Sequence, residues 1–199
     1  MDLYSHEWFS NSYNHARTRF IDLVLTQGGL HTALPITALG PEKEPLSIDI
    51  GWFGDPNAKR VILHISGTHG VEGFSGSAIQ LSAIANHIYT PGDGEAVIFV
   101  HVLNPYGMAW IRRVNENNVD LNRNFMPYGT PYTGISSGYE AMNSTLNPQT
   151  PPSFDFFLLR SLAKILQHGY STLKQAITEG QYVYPKGLFF GGERLEEGP

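Results

Sequence analysis

Two apolar runs rich in β-branched residues, RVILHIS (60–66) and AVIFVHVL (96–103), flank a segment in which Phe74, Ala78, Leu81, Ile84 and Ile88 recur at helical spacing. A change of period from two to about 3.6 and back again marks a strand, a helix and a strand. Strands joined through a helix run parallel, with a right-handed crossover. This unit therefore points to the α/β class, with a mostly parallel or mixed sheet flanked by helices. RVILHIS and AVIFVHVL carry apolar residues on both faces, so both read as buried strands.

The rest of the chain fits around that unit. Residues 10–27 read as a helix, with Ala16, Phe20, Leu23 and Val24 on one face and QGG ending the pattern. LHTALPI and LSIDIGWFG read as strands separated by the polar, proline-bearing GPEKEP. Residues 126–153, rich in Gly, Pro, Ser, Thr, Tyr and Asn, read as a long irregular surface segment. FDFFLLRSLAKILQHG reads as a strong helix with Ser153 as its N-cap and Gly169 just past its end. STLKQAITEG reads as another helix, and the remaining residues are extended and glycine-rich. We find no internal repeat or low-complexity tract, so residues 1–199 read as a single α/β domain.

Composition narrows the function. With 13 basic against 18 acidic residues, the chain lacks the basic excess of a nucleic-acid binder. It has no cysteine, so a metal would be held by His, Asp or Glu, which suits zinc or another divalent ion. The first twenty residues lack a signal-peptide pattern, and no run approaches the roughly 20 apolar residues that span a bilayer. A cytoplasmic protein with no membrane partner is the expectation.

Two stretches carry chemistry. The first is SGTHGVEG, directly after RVILHI, which puts His69 and Glu72 three residues apart in a glycine-lined turn. Ligands of open α/β sheets bind beyond the carboxyl ends of the strands, where this turn lies. An imidazole nitrogen and a carboxylate so spaced can converge on one ion, and catalytic zinc commonly takes two histidines and a glutamate. The alternative is an ordinary strand-to-helix loop in which Glu72 favours the helix N-terminus. The second stretch is NPYGMAWIRRVNENNVDLNRNF (104–125), which follows the next parallel strand and should emerge at the same edge of the sheet. Its Arg112, Arg113, Asn115, Asn122 and Arg123 are planar donors suited to carboxylates and to a developing oxyanion. The stretch also carries Asp120, and the alternative here is a polar loop tied down by its own Asx turns.

HGVE, NPYG, RRVNENN and VDLNRNF, in that order, resemble the zinc carboxypeptidases of the M14 type, and most of all their DUF2817 branch. The resemblance covers roughly residues 46–126. DLNR and a similar His-Gly-x-Glu turn also occur in the related succinylglutamate desuccinylase and aspartoacylase group. The resemblance implies that His69 and Glu72 are ligands of Zn2+. It implies that Arg113, or the adjacent Arg112, polarises the scissile carbonyl, and that Asn122 and Arg123 grip the free carboxylate of the substrate. The implied activity is that of a metallocarboxypeptidase-like hydrolase, cleaving an amide bond next to a free carboxylate in a peptide or an N-acyl amino acid.

The pattern also calls for a third zinc ligand, a histidine on a later strand, and a general-base glutamate beyond it. After residue 126 the sole histidine is His168, which reads as a helix C-terminal cap. Glu193, Glu196 and Glu197 lie in a terminal stretch without sheet context. His64 and His101 lie inside the apolar strands and read as satisfied core histidines. The expectation is that the chain corresponds to the N-terminal part of a longer catalytic domain, with an exposed sheet edge that a homo-oligomer would cover. Deacylation of an N-acyl amino acid, a non-catalytic carboxylate-binding module without a complete zinc site, and a purely structural α/β protein are the competing readings.

Overall fold

Serine at the right place starts the first helix. In the computed structural model, which describes residues 6–148 and 156–196, Ser12 Oγ accepts a hydrogen bond from His15 N and caps α1, Tyr13–Thr26. Four strands follow: β1 (Leu30–Leu39), β2 (Pro45–Gly54), β3 (Arg60–Ile65) and β4 (Glu95–His101). Between β3 and β4 lies α2, Gly73–Ala85. The described residues fall into two compact units, one running to Glu116 and one spanning Asn117–Glu196.

In the first unit the sheet order is β1-β2-β4-β3. β3 and β4 are parallel, as the strand–helix–strand pattern requires, while β1/β2 and β2/β4 are antiparallel. The sheet is therefore mixed. The core forms where α1 and α2 cover Val97 and Phe99 of β4, through Phe20, Val24, Leu81, Ala83 and Ile84. Close approach of α1 to β2 depends on Gly51, where a Cβ would lie 2.7 Å from a methyl of Val24. A second cluster joins Tyr13, Ala16, Leu46, Val102 and Met108. Amid this apolar packing, Asp49 is fully buried and accepts hydrogen bonds from Arg17, Ser47 and His31.

The second unit holds α4 (Leu121–Asn124), α5 (Ser137–Leu146), α6 (Phe157–His168) and α7 (Tyr170–Glu179). Two buried amides organise it. Gln181 Oε1 accepts from Val183 N and Tyr184 N, and Asn124 Nδ2 donates to the carbonyls of Gly191 and Arg194.

Three sequence expectations change. Among the described residues RVILHIS is largely exposed rather than buried, with β3 paired on one side only, because order within a sheet is set by long-range pairing that a local run does not encode. Residues 126–153 are not irregular throughout, since α5 forms there with Ser136 as its N-cap. Ile88 lies beyond the end of α2. The helix starting near residue 153 is α6, but its expected cap Ser153 lies outside the described residues. Among the described residues no helix is long and apolar enough to cross a membrane.

Candidate metal and carboxylate site

The chain leaves β3 through Ser66 and turns sharply. Gly67 takes a left-handed φ of +65°, and a Cβ there would lie 2.7 Å from Val102 Cβ. His69 follows, and Gly70–Glu72 form one turn of 3-10 helix that runs into α2. This one turn swings both side chains to the same side. His69 Nδ1 lies 3.1 Å from each carboxylate oxygen of Glu72. The His69 side chain is 12% exposed and that of Glu72 67%, so the imidazole is held while the carboxylate faces solvent.

The arginine segment is stitched to this turn through its backbone. Gly70 N donates to Arg113 O at 3.3 Å, and Val71 N donates to Arg112 O at 3.2 Å. The contact requires glycine at 70, where a Cβ would lie 1.9 Å from the carbonyl carbon of Gly107. Gly107 belongs to α3, Pro105–Ala109, whose N-cap is Asn104. Asn104 is buried; its Oδ1 accepts from Gly107 N at 2.7 Å and its Nδ2 donates to Arg113 O at 3.4 Å. His69, Glu72, Arg112 and Arg113 are thus brought together in the first unit. Arg112 is exposed and Arg113 half-buried.

Asn104 is a residue to which the sequence reading gave no role. An Asn followed by Pro at the first helical position is an N-cap signal, and it was available in NPYG. Below the turn, His101 is fully buried, stacks on Phe20 at 4.4 Å and has Nε2 2.9 Å from Ser77 Oγ of α2. Burial lowers its pKa from 6.5 to about 4, so the ring is neutral. His64 is tied to Gln80 of α2. His101 is a core histidine, as its setting in an apolar strand implied, whereas His64 is half-buried on β3 and satisfied by Gln80.

Asn122 and Arg123 belong to the second unit. Asp120 Oδ1 accepts from Asn122 N at 3.0 Å, which caps α4 and leaves the Asn122 side chain exposed. This is an Asx turn, of the kind the alternative reading of this loop supposed. The Arg123 stem packs against Gly180, where a Cβ would lie 2.9 Å from its Cδ. Nη1 of Arg123 donates to Asn122 O at 2.8 Å, and its buried Nε has no partner among the described residues. Tyr182 donates to Arg123 O at 2.8 Å, and burial raises the pKa of this phenol. His168 ends α6, as its spacing indicated.

Zinc needs at least three protein ligands in such sites. The turn offers two of the right chemistry, and among the described residues no group of three His, Cys, Asp or Glu side chains stands together. His69 and Glu72 therefore fit two positions of a zinc site, and the described residues do not complete it.

A family model described as "Protein of unknown function (DUF2817)" matches residues 9–197. Comparison with curated proteins finds no match. Among solved structures, the chain is similar to bovine thrombin-activatable fibrinolysis inhibitor, there in complex with tick carboxypeptidase inhibitor: 16% identity over 82% of this chain and 59% of that one, TM-score 0.42. It is similar to a Zn-dependent exopeptidase from Parabacteroides distasonis at 18% identity over 72% and 51%, TM-score 0.33. It is similar to Porphyromonas gingivalis glutaminyl cyclase at 14% identity over 75% and 56%, TM-score 0.31. The chain spans about half the length of these structures.

Proposed function

The chain belongs to the DUF2817 family, and from that premise we propose that it is a zinc-dependent, carboxypeptidase-like hydrolase, cleaving an amide bond next to a free carboxylate. One observation carries the reading. The turn after β3 converges His69 Nδ1 and the Glu72 carboxylate, and the arginine segment is fastened to that same turn. An ordinary strand-to-helix loop has no need of all these features at once.

In this reading His69 and Glu72 are two of the zinc ligands. Bound zinc supplies an activated water and a polarised carbonyl. Arg113, or its neighbour Arg112, stabilises the negative charge that develops on the carbonyl oxygen as water adds. Asn122 and Arg123 recognise the substrate carboxylate, the role to which a planar guanidinium is best suited. The substrate is a peptide or an N-acyl amino acid; the two differ in whether an open groove or a closed pocket surrounds the scissile bond.

Arg123→Ala tests the carboxylate role. The expected result is that an N-acyl amino acid binds at least about tenfold more weakly to the variant, while its amide is unaffected. Equal loss for acid and amide contradicts the assignment. A second reading, a carboxylate-binding module without catalysis, is favoured by the two-ligand count among the described residues. It predicts the same acid preference without zinc dependence.

A further inference from the structure

Arg123 sits on a helix too short to hold itself. α4 is a single turn, Leu121–Asn124, and a helix leaves its last four carbonyls without donors of its own. Side chains reach three of them in succession. Asn122 O accepts from Nη1 of Arg123, Arg123 O accepts from the hydroxyl of Tyr182 at 2.8 Å, and Asn124 O accepts from the hydroxyl of Tyr132. The two phenol rings meet edge to face, with centroids 6.0 Å apart. Two tyrosines in contact therefore fix neighbouring carbonyls of one turn.

The strap that carries Tyr182 also holds the arginine stem. Gly180 has a left-handed φ of +76°, and a Cβ there would lie 2.9 Å from Arg123 Cδ and 3.0 Å from its Cγ, so the stem lies on bare backbone. Tyr182 has no room to swing away, since a Cβ on Gly191 would lie 2.2 Å from its Cε1. Between Gly180 and Tyr182, Gln181 is fully buried and uses both ends of its amide, Oε1 accepting from Tyr184 N and Nε2 donating to Tyr184 O. Burial, together with the neighbouring Tyr132, raises the pKa of Tyr182, which keeps the phenol protonated and able to donate.

We propose that Tyr182 and Tyr132 are positioning residues for Arg123: they fix the turn that carries it, and the strap beneath its stem sets the direction of its guanidinium. The proposal rests on the reading in which Arg123 takes the substrate carboxylate. The chemistry of that pair calls for such support. A guanidinium meets a carboxylate through parallel N–H bonds in one plane, so a small displacement forfeits geometry as well as energy. Nε of Arg123 is buried without a partner among the described residues, so packing along the stem, rather than a bond at that nitrogen, holds the side chain. An arginine already seated in this way loses less rotamer freedom when a carboxylate arrives.

Tyr182→Phe removes one hydroxyl and keeps the ring. The probes are N-acetylphenylalanine and its carboxamide, titrated by calorimetry against the full chain. The wild type is expected to favour the acid, Arg123→Ala to lose that preference, and Tyr182→Phe to lower it at least about fivefold with affinity for the amide unchanged. Tyr132→Phe should act in the same direction. Tyr184→Phe, in the same strap but with its ring stacked on Tyr139, should change neither affinity. A second readout needs no ligand. By NMR, the buried Nε–H of Arg123 should exchange slowly in the wild type and faster in Tyr182→Phe, while an unshifted Gln181 side-chain amide reports that the strap is folded. If Arg123→Ala loses the acid preference and Tyr182→Phe keeps it in full, the positioning role is wrong and the carboxylate reading stands. Loss of the preference together with a shifted Gln181 amide would make the hydroxyl merely structural and also overturn the proposal. If the wild type shows no acid preference, or Arg123→Ala retains it, the positioning role and the carboxylate reading fall together.

Discussion

Gly70→Ala is the substitution with the most direct structural consequence at the candidate site. The added methyl would lie 1.9 Å from the carbonyl carbon of Gly107, 2.2 Å from Met108 N and 2.3 Å from Gly107 Cα. All three are backbone atoms of α3, so no side-chain rotation relieves the clash. Carbon atoms rest about 3.5 Å apart, so the turn and α3 must separate by more than an ångström. The bonds from Gly70 N to Arg113 O and from Val71 N to Arg112 O, already 3.3 and 3.2 Å long, do not survive that movement. Two lost backbone bonds cost about 1 kcal/mol each, and overpacking strain adds about 1–3 kcal/mol. The variant should lose roughly 3–5 kcal/mol of stability in urea unfolding, and zinc affinity with it, because Gly70 lies between His69 and Glu72. Gly92→Ala is the control. Its Cβ would meet only the carboxylate of Glu95 at 3.2 Å, the end of a flexible side chain. It should be neutral or stabilising by up to about 1 kcal/mol. A Gly70→Ala protein within about 1 kcal/mol of the wild type would refute the packing argument.

His101 and Asp49 give two further tests. The unfolded chain protonates His101 near its ordinary pKa of 6.5 and the folded chain only near 4, so the folded state loses stability as pH falls through that window. The loss is roughly 3 kcal/mol, and His101→Gln should remove that part of the slope when urea midpoints are compared between pH 7 and pH 4. Asp49→Ala strips the shared acceptor from Arg17, Ser47 and His31; thermal or urea unfolding should show a loss of about 3–5 kcal/mol, and a loss below about 1 kcal/mol would mean water replaces the carboxylate.

Some of this molecule is legible in its sequence for definite reasons. The β3–α2–β4 unit is, because the apolar period changes at Phe74 and local periodicity records which face is buried. The place of β3 in the sheet is not, because an apolar run looks the same whether one side of it is paired or both. α5 is illegible because Gly, Ser and Asn dominate its surroundings. It is held by tertiary contacts, with Tyr139 buried and its hydroxyl donating to Leu188 O at 2.6 Å. At the candidate site, residue types pick out His69, Glu72 and the arginines. The stitching of that turn could not be read, since it is made by the carbonyls of Arg112 and Arg113, and a carbonyl has no residue signature. Asn104 lay between these cases: its helix-capping signal was plain, while its bond to Arg113 O depends on the folded chain.

The proposed function rests on the His69–Glu72 turn holding a metal. It is tested most directly by calorimetric titration of the full chain with zinc, beside His69→Ala and Glu72→Ala, with circular dichroism to establish that all three are folded. Saturable one-to-one binding is expected in the wild type, and each substitution should abolish it. Binding of equal affinity in all three proteins, or none in the wild type, would contradict it.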